Sequence, residues 1–521
     1  MKAYTVATGH PLTSEAAASL LDAGGNAFDA LLAGWLVSCL AEPVLTSPGG
    51  GGFAMVSPAC GSTRLYDFFV HTPKTPNPDP HNFPVEADFG STKQVFHLGV
   101  GTVATPGNVA GILHIHKEHG RLPVSECIGP AMDLSRNGLV ITSYSQTLHN
   151  VVRDLYRATP ESRALFQSRI EEEKCLREGE VFLNKDFAGF LEMLASEGSR
   201  WFYKGDIARM VSDHCQQNGG HLTRKDFEEY KIEVREPLRI QRNGVRLWLN
   251  PPPSMGGTLI ALGLLSRAEA EPMAYPFTCR DAWLDWVEPL RLMSLLRTKA
   301  GFASLKDYEQ QAISEASVRT PQLKSSVAHL FPHALGNTHA TGTTQFSIMD
   351  SDGNEISMTT SNGSGSAIIL PGTGFMLNNM LGEEDLQSEG LDTWEADSRL
   401  ASMMSPTLAH LPGGKRIALG TGGSNRIRSV ILQILRHLVD HGMSIDEAIE
   451  APRLHWENHE LHAETEAYSA ISDLNDPLPL PLVEHTMPNL FFGGANAVAG
   501  SKEGKFSGIG DPRRGGHCIT K

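Results

Sequence analysis

The stretch that decides the fold is HATGTTQFSIMDSDGNEISMTTSNGSG, residues 339–365. QFSIM and EISMT read as two strands, with apolar and β-branched residues alternating with small polar ones. Asp352-Gly353 between them is the strongest short-range signal of a hairpin. A two-residue loop there pairs Ser351 with Asn354. Thr343 then falls across from Asn362, beside Thr360 and Ser361. The register alone gathers hydroxyls and an amide at the open end of the hairpin.

Thr343 has no His or carboxylate beside it in this segment to activate its hydroxyl. A Thr that begins a chain solves this with its own α-amine, a base that titrates near neutrality. Making that terminus requires cutting the Gly342–Thr343 bond. The Thr343 hydroxyl can do so by attacking the preceding carbonyl, and glycine at 342 tolerates the backbone strain involved. The other reading of the same residues is a Thr-rich strand end, since β-branched residues favour strands in any case.

The chain has 521 residues and a formal net charge of −15, which argues against a general nucleic-acid-binding face. It has no apolar run long enough to cross a membrane, and its N-terminus lacks the basic-then-apolar pattern of a signal peptide. A cytoplasmic location is expected. The seven cysteines are scattered, with no CxxC, so reduced thiols are expected rather than a disulfide framework or zinc ribbon. No histidine pair has metal-ligand spacing, and neither metal nor organic cofactor is expected.

Residues 11–24 read as a helix capped by Thr13 or Ser14, and 27–41 as a buried helix, apolar almost all round. SPGGGGF (47–53) lets a backbone pass close to a neighbour but lacks the spacing of a phosphate loop. Residues 70–95 read as a Pro-rich loop, 106–240 as largely helical, and 222–238 as a capped helix running into a strand. NPPPSMGG (250–257) restarts a helix at about Thr258, and 305–340 reads as an exposed linker. At 416–442 the apolar period switches from strand to helix across Gly-Thr-Gly-Gly. That junction points backbone N–H groups and a positive dipole end at an anion.

Several segments together resemble the γ-glutamyltranspeptidase (glutathione hydrolase) family of N-terminal-nucleophile hydrolases. They are HPLTSEAAASLLDAGGNAFDALLA (10–33), EPVLTSPGGGGFAMV (42–56), GVGTVATPGNVAGILHIHKEHGRLP (99–123), GGHLTRKDFEEYKIEVREPL (219–238), PPPSMGG (251–257), GTTQFSIMDSDGN (342–354), PGTGFMLNN (371–379), SMMSPT (402–407) and GTGGSNRI (420–427). The resemblance implies a four-layer αββα sandwich, made as a precursor and self-cleaved into 1–342 and 343–521, the two pieces intertwined in one domain. It places the nucleophile at Thr343, the oxyanion hole at Gly422 and Gly423, and a hydroxyl partner for the nucleophile at Thr360 or Ser361. It also implies substrate contacts at Asn362, Glu383 and Ser402. The substrate class is a small acyl amide, with water or an amine as acceptor.

Four positions depart from the family pattern. Phe69, in LYDFFVHTP (65–73), stands where the family carries the arginine that clamps the substrate α-carboxylate. Met403 replaces the second of two serines, Met380 replaces a Gln, and Gln345 replaces a His two residues after the nucleophile. One reading is a more apolar pocket, lined by Phe69, Met403 and Met380, for a different acyl group, such as the cephalosporin side chains or oxamate taken by relatives. The other is that these are core residues and Arg399 or Arg426 supplies the clamp. A further alternative is a non-cleaving, non-catalytic binding relative.

Overall fold

The structure, a computed structural model, describes residues 3–88, 93–267, 277–297, 342–383, 393–486 and 490–521. The linker expected at 305–340 and the acidic residues just after Glu383 lie outside the described residues.

Thirteen strands build two central sheets. In chain order they are β1 (Tyr4–Thr8), β2 (Gly51–Ser57), β3 (Arg64–Phe68), β4 (Glu233–Arg235), β5 (Leu238–Arg242), β6 (Val245–Leu249) and β7 (Gly342–Asp350). They continue with β8 (Glu355–Gly363), β9 (Thr407–His410), β10 (Arg416–Gly422), β11 (Gly494–Gly500), β12 (Phe506–Ile509) and β13 (His517–Thr520). One sheet runs β13-β1-β7-β8-β2-β3-β4, the other β12-β11-β10-β9-β6-β5. The hairpin β7–β8 lies at the middle of the first sheet, and β7 packs across β10 and β11 of the second. Every residue of β7 and β8 is buried, because helices cover one face and the second sheet covers the other.

The outer layers are helical. Helices α1 (Pro11–Asp22), α2 (Ala27–Ala41) and α3 (Asn108–His119) lie on the first sheet. Helices α4 (Gly256–Leu265), α5 (Arg280–Leu296) and α6 (Arg426–Val439) belong to the layer over the second. The expected αββα sandwich is therefore present. All of α2 is buried, as its unbroken apolar sequence requires. Each central sheet combines strands from before and after Thr343, so neither part of the chain makes either central sheet alone.

Three local expectations are corrected. The cap of α1 is His10, whose Nδ1 accepts from Leu12 N–H at 3.2 Å, not Thr13 or Ser14. Part of the Pro-rich loop is an antiparallel pair, Phe83–Asp88 with Lys93–Leu98. The hairpin loop is longer by one residue. Asp350, not Ser351, faces Asn354, and Gly353 takes φ 100°. The cause is the Asp350 carboxylate, which accepts from the N–H groups of Asp352 and Asn354 and, across the layer, from Ala27 N–H at the start of α2. A three-residue loop with glycine in a left-handed conformation is the next standard solution after the two-residue turn.

Candidate active site

The longer loop moves the register by one, and that step decides which hydroxyl meets Thr343. Thr343 pairs with Ser361 rather than Asn362. Alternation then sends neighbouring side chains to opposite faces. Thr360 turns away, donating to Asn108 Oδ1 at 2.9 Å and lying 3.2 Å from the Thr46 hydroxyl. Ser361 instead donates to the Gly342 carbonyl oxygen at 2.5 Å. Of the two candidates, Ser361 holds the carbonyl of the bond expected to break, and Thr360 ties the sheet to α3.

Thr343 is 3% exposed and lines a partly open cavity. Phe69, Met380, Met403, Met404 and Ile427 supply its apolar wall, and Ser361, Glu383, Ser402 and Ser424 its polar wall. The sequence therefore placed Thr343, Ser361, Phe69, Met380, Glu383, Ser402 and Met403 around one space. Glu383 Oε1 accepts from both the N–H and the hydroxyl of Ser364 at 3.1 Å. The Ser402 hydroxyl accepts from Met404 N–H at 3.1 Å. Asn362 is not in this wall. Its Nδ2 donates to the carbonyl oxygens of Met376 and Leu377 at 3.3 and 3.4 Å.

Gly422 ends β10 directly against Thr343: a Cβ there would fall 2.2 Å from the Thr343 carbonyl oxygen. Gly423 holds φ 127°, a conformation that side chains resist, and Ser424 follows at φ 52°. These two turns end the strand and start α6 at Arg426, so the helix N-terminus faces the Thr343 side of the sheet.

Neither arginine proposed as a replacement clamp lines the cavity. Arg399 lies behind Phe69. It donates to the Phe69 carbonyl and to the Tyr230 hydroxyl, and its guanidinium stacks 4.9 Å over the Tyr230 ring. Arg426 donates to the Phe491 carbonyl at 2.9 Å and stacks over that ring. Phe69 itself is 1% exposed and packs on Phe53 with ring centres 5.4 Å apart. Among the described residues, the wall carries one acid and no cation. Gln345 points between the sheets as a strut, donating to Ser347 and Ser357 and accepting from Thr359.

The glycine run 49–52 has a packing role. A Cβ at Gly50 would fall 2.2 Å from the Ser361 carbonyl oxygen and one at Gly52 2.6 Å from that of Thr359. The run lets β2 and its approach press onto the β7–β8 hairpin. Sequence reasoning missed Glu42, a fully buried carboxyl at the end of α2 that accepts from the Thr344 hydroxyl at 3.1 Å. Asp29, His116 and Cys127 bring three metal-type donors together, but they line neither cavity beside Thr343. Asp29 already accepts from the backbone N–H groups of Asn26, Arg121 and Leu122.

The γ-glutamyltranspeptidase family model matches residues 13–520. The chain is 30% identical to the acylase ACY 1 proenzyme of Pseudomonas sp. (strain V22), over 96% of this chain and 91% of that one. It is 27% identical to the glutathione hydrolase proenzyme of Escherichia coli (strain K12), over 88% of this chain and 82% of that one. In architecture it is similar to the cephalosporin acylase of Bacillus halodurans, with a TM-score of 0.80 at 21% identity, covering 99% of this chain and 96% of that one.

Proposed function

The chain belongs to the γ-glutamyltranspeptidase family, and from that premise we propose a self-cleaving amidohydrolase whose Thr343 is both the scissor of its own chain and the later nucleophile. Thr343 Oγ attacks the Gly342 carbonyl carbon, whose oxygen already accepts from Ser361. Cleavage yields 1–342 and 343–521, which stay paired strand to strand in both sheets. The new α-amine then serves as base for Thr343 Oγ on an incoming acyl amide, and Gly422 and Gly423 offer N–H groups to the oxyanion. Water or an amine takes the acyl group from Thr343.

The observation that carries the substrate reading is that, among the described residues, the wall has no cation. A carboxylate on the acyl tail would leave water beside Phe69, Met380 and Met403 with no charge-assisted partner, a costly transfer. The acyl group that fits best is apolar or amine-bearing, with Glu383 positioned for an ammonium or a hydrogen-bond donor. Glu383 and Ser402 in the same wall favour a second reading, in which a γ-glutamyl group binds through its amine. The kcat/KM values of the cleaved enzyme on p-nitroanilides of neutral, glutaryl and γ-glutamyl acyl groups separate the two. Faster turnover of neutral tails is expected. A γ-glutamyl preference that disappears in Glu383→Gln refutes the altered-substrate reading, and a chain that stays a single band on denaturing gels refutes the enzyme reading itself.

A further inference from the structure

On the other side of the nucleophile lies a second, smaller cavity with room for about one water. Among the described residues, Thr343 alone lines both cavities. Glu42 faces this second space from the C-terminal end of α2, 2% exposed. That is a poor place for a carboxylate, since the helix end is itself negative and the group is shielded from bulk solvent. Its Oε1 accepts from Thr344, while its Oε2 is buried with no partner. A glutamine would make the same bond to Thr344 without a titrating proton, so packing does not explain the acid. Burial pushes the Glu42 carboxyl up to about 7. Two more buried polar atoms without partners lie close by, Nε of Arg514 in the same wall and the Tyr144 hydroxyl, which feels the Glu42 charge. Such a set of orphaned donors and acceptors around a cavity suits water.

We propose that Glu42 is a positioning residue that supplies and recovers the proton for the Thr343 nitrogen during self-cleavage, acting through the Thr344 hydroxyl and water in this chamber. The inference rests on the reading of Thr343 as self-cleaving nucleophile. In that step the Thr343 Oγ–C bond to Gly342 forms and the C–N bond breaks. The leaving nitrogen takes a proton from Glu42, and the proton released by Oγ returns to the Glu42 carboxylate. No net proton is gained or lost. Water then hydrolyses the ester, leaving a Gly342 carboxylate and a Thr343 with free amine and hydroxyl.

The test is the rate of self-cleavage of freshly folded full-length chain, read on denaturing gels from about pH 6 to about pH 8. The wild-type rate should fall as pH rises through about 7, where Glu42 loses its proton. Glu42→Gln, which keeps the Thr344 contact, should be slower by on the order of 10²-fold and flat with pH. Glu42→Asp should restore the pH dependence even if slower, and the melting temperature of each variant reports its folding. A Glu42→Gln chain that cleaves at the wild-type rate, or slowly with the wild-type pH profile, overturns the inference while leaving Thr343 as nucleophile. A wild-type chain that never cleaves removes the Thr343 reading and this inference with it.

Discussion

Replacing Glu42 with glutamine should stabilise the fold at alkaline pH and not at acid pH. The carboxyl is held at about 7 against an ordinary 4.5. A carboxyl raised in the folded state keeps its full contribution below about 4.5 and loses it as pH rises toward 7. Each tenfold step in proton affinity is about 1.4 kcal/mol, so the interval amounts to about 3 kcal/mol. The unfolding entropy near the melting point is about 2.1 cal/mol/K per residue, or about 1.1 kcal/mol/K for a chain of this length. The melting-temperature gap between Glu42→Gln and the parent should therefore shift in favour of Glu42→Gln by about 2 °C from pH 5 to pH 8. Both proteins are compared in a Thr343→Ala background, so that neither cleaves, by calorimetry at the two pH values. A melting-temperature gap that is the same at pH 5 and pH 8 refutes the idea that burial withholds the charge from Glu42.

Three other perturbations have defined outcomes. Ser361→Ala removes the donor on the Gly342 carbonyl and should slow self-cleavage by on the order of 10²-fold, measured on denaturing gels. Asp350→Ala strips acceptors from the hairpin loop and from Ala27 N–H at the head of α2, and should cost about 3 kcal/mol, read as a lower melting temperature. Phe69→Arg puts a guanidinium into the wall that holds Glu383, and should raise the kcat/KM for γ-glutamyl over neutral acyl anilides by about tenfold or more.

The hairpin was legible because alternation and Asp-Gly are local signals, and the strand-to-helix switch at Gly422 was legible because the apolar period changes there. The exact register was not, because it depends on where one carboxylate goes. Asp350 binds Ala27, hundreds of residues earlier in the chain, and that distant contact selects the three-residue loop. The slip of one position separates Ser361 from Thr360 and takes Asn362 out of the cavity wall. Glu42 was hidden for a related reason. A Glu before a Pro at a helix end looks like a solvated terminus until α2 is seen to be covered on every side. The absence of a clamp was visible in LYDFFVHTP, but the fate of the other arginines was not, since sequence does not show that Arg399 faces the backbone behind Phe69.

That position of Arg399 gives the altered pocket a structural logic. Its guanidinium holds the Phe69 carbonyl and the Tyr230 hydroxyl, and Tyr230 donates to the same carbonyl at 2.8 Å. Asp67 accepts from Phe69 N–H at 3.1 Å and lies 3.5 Å from Arg399. The Phe69 backbone is thus fixed on both its N–H and its carbonyl, and its ring is fixed by Phe53. A charged network just outside the wall presents an apolar face inside it, and rigid backbone anchoring of this kind is what a pocket needs to choose substrates by shape. The groups proposed for self-cleavage make none of these contacts: Ser361 donates to the Gly342 carbonyl, Gly422 packs on the Thr343 carbonyl, and Glu42 accepts from Thr344. Thr343 and Ser361 share the cavity with Phe69 but not its anchoring, so on the proposed reading the side chain at 69 can change while the backbone at Thr343 keeps its place.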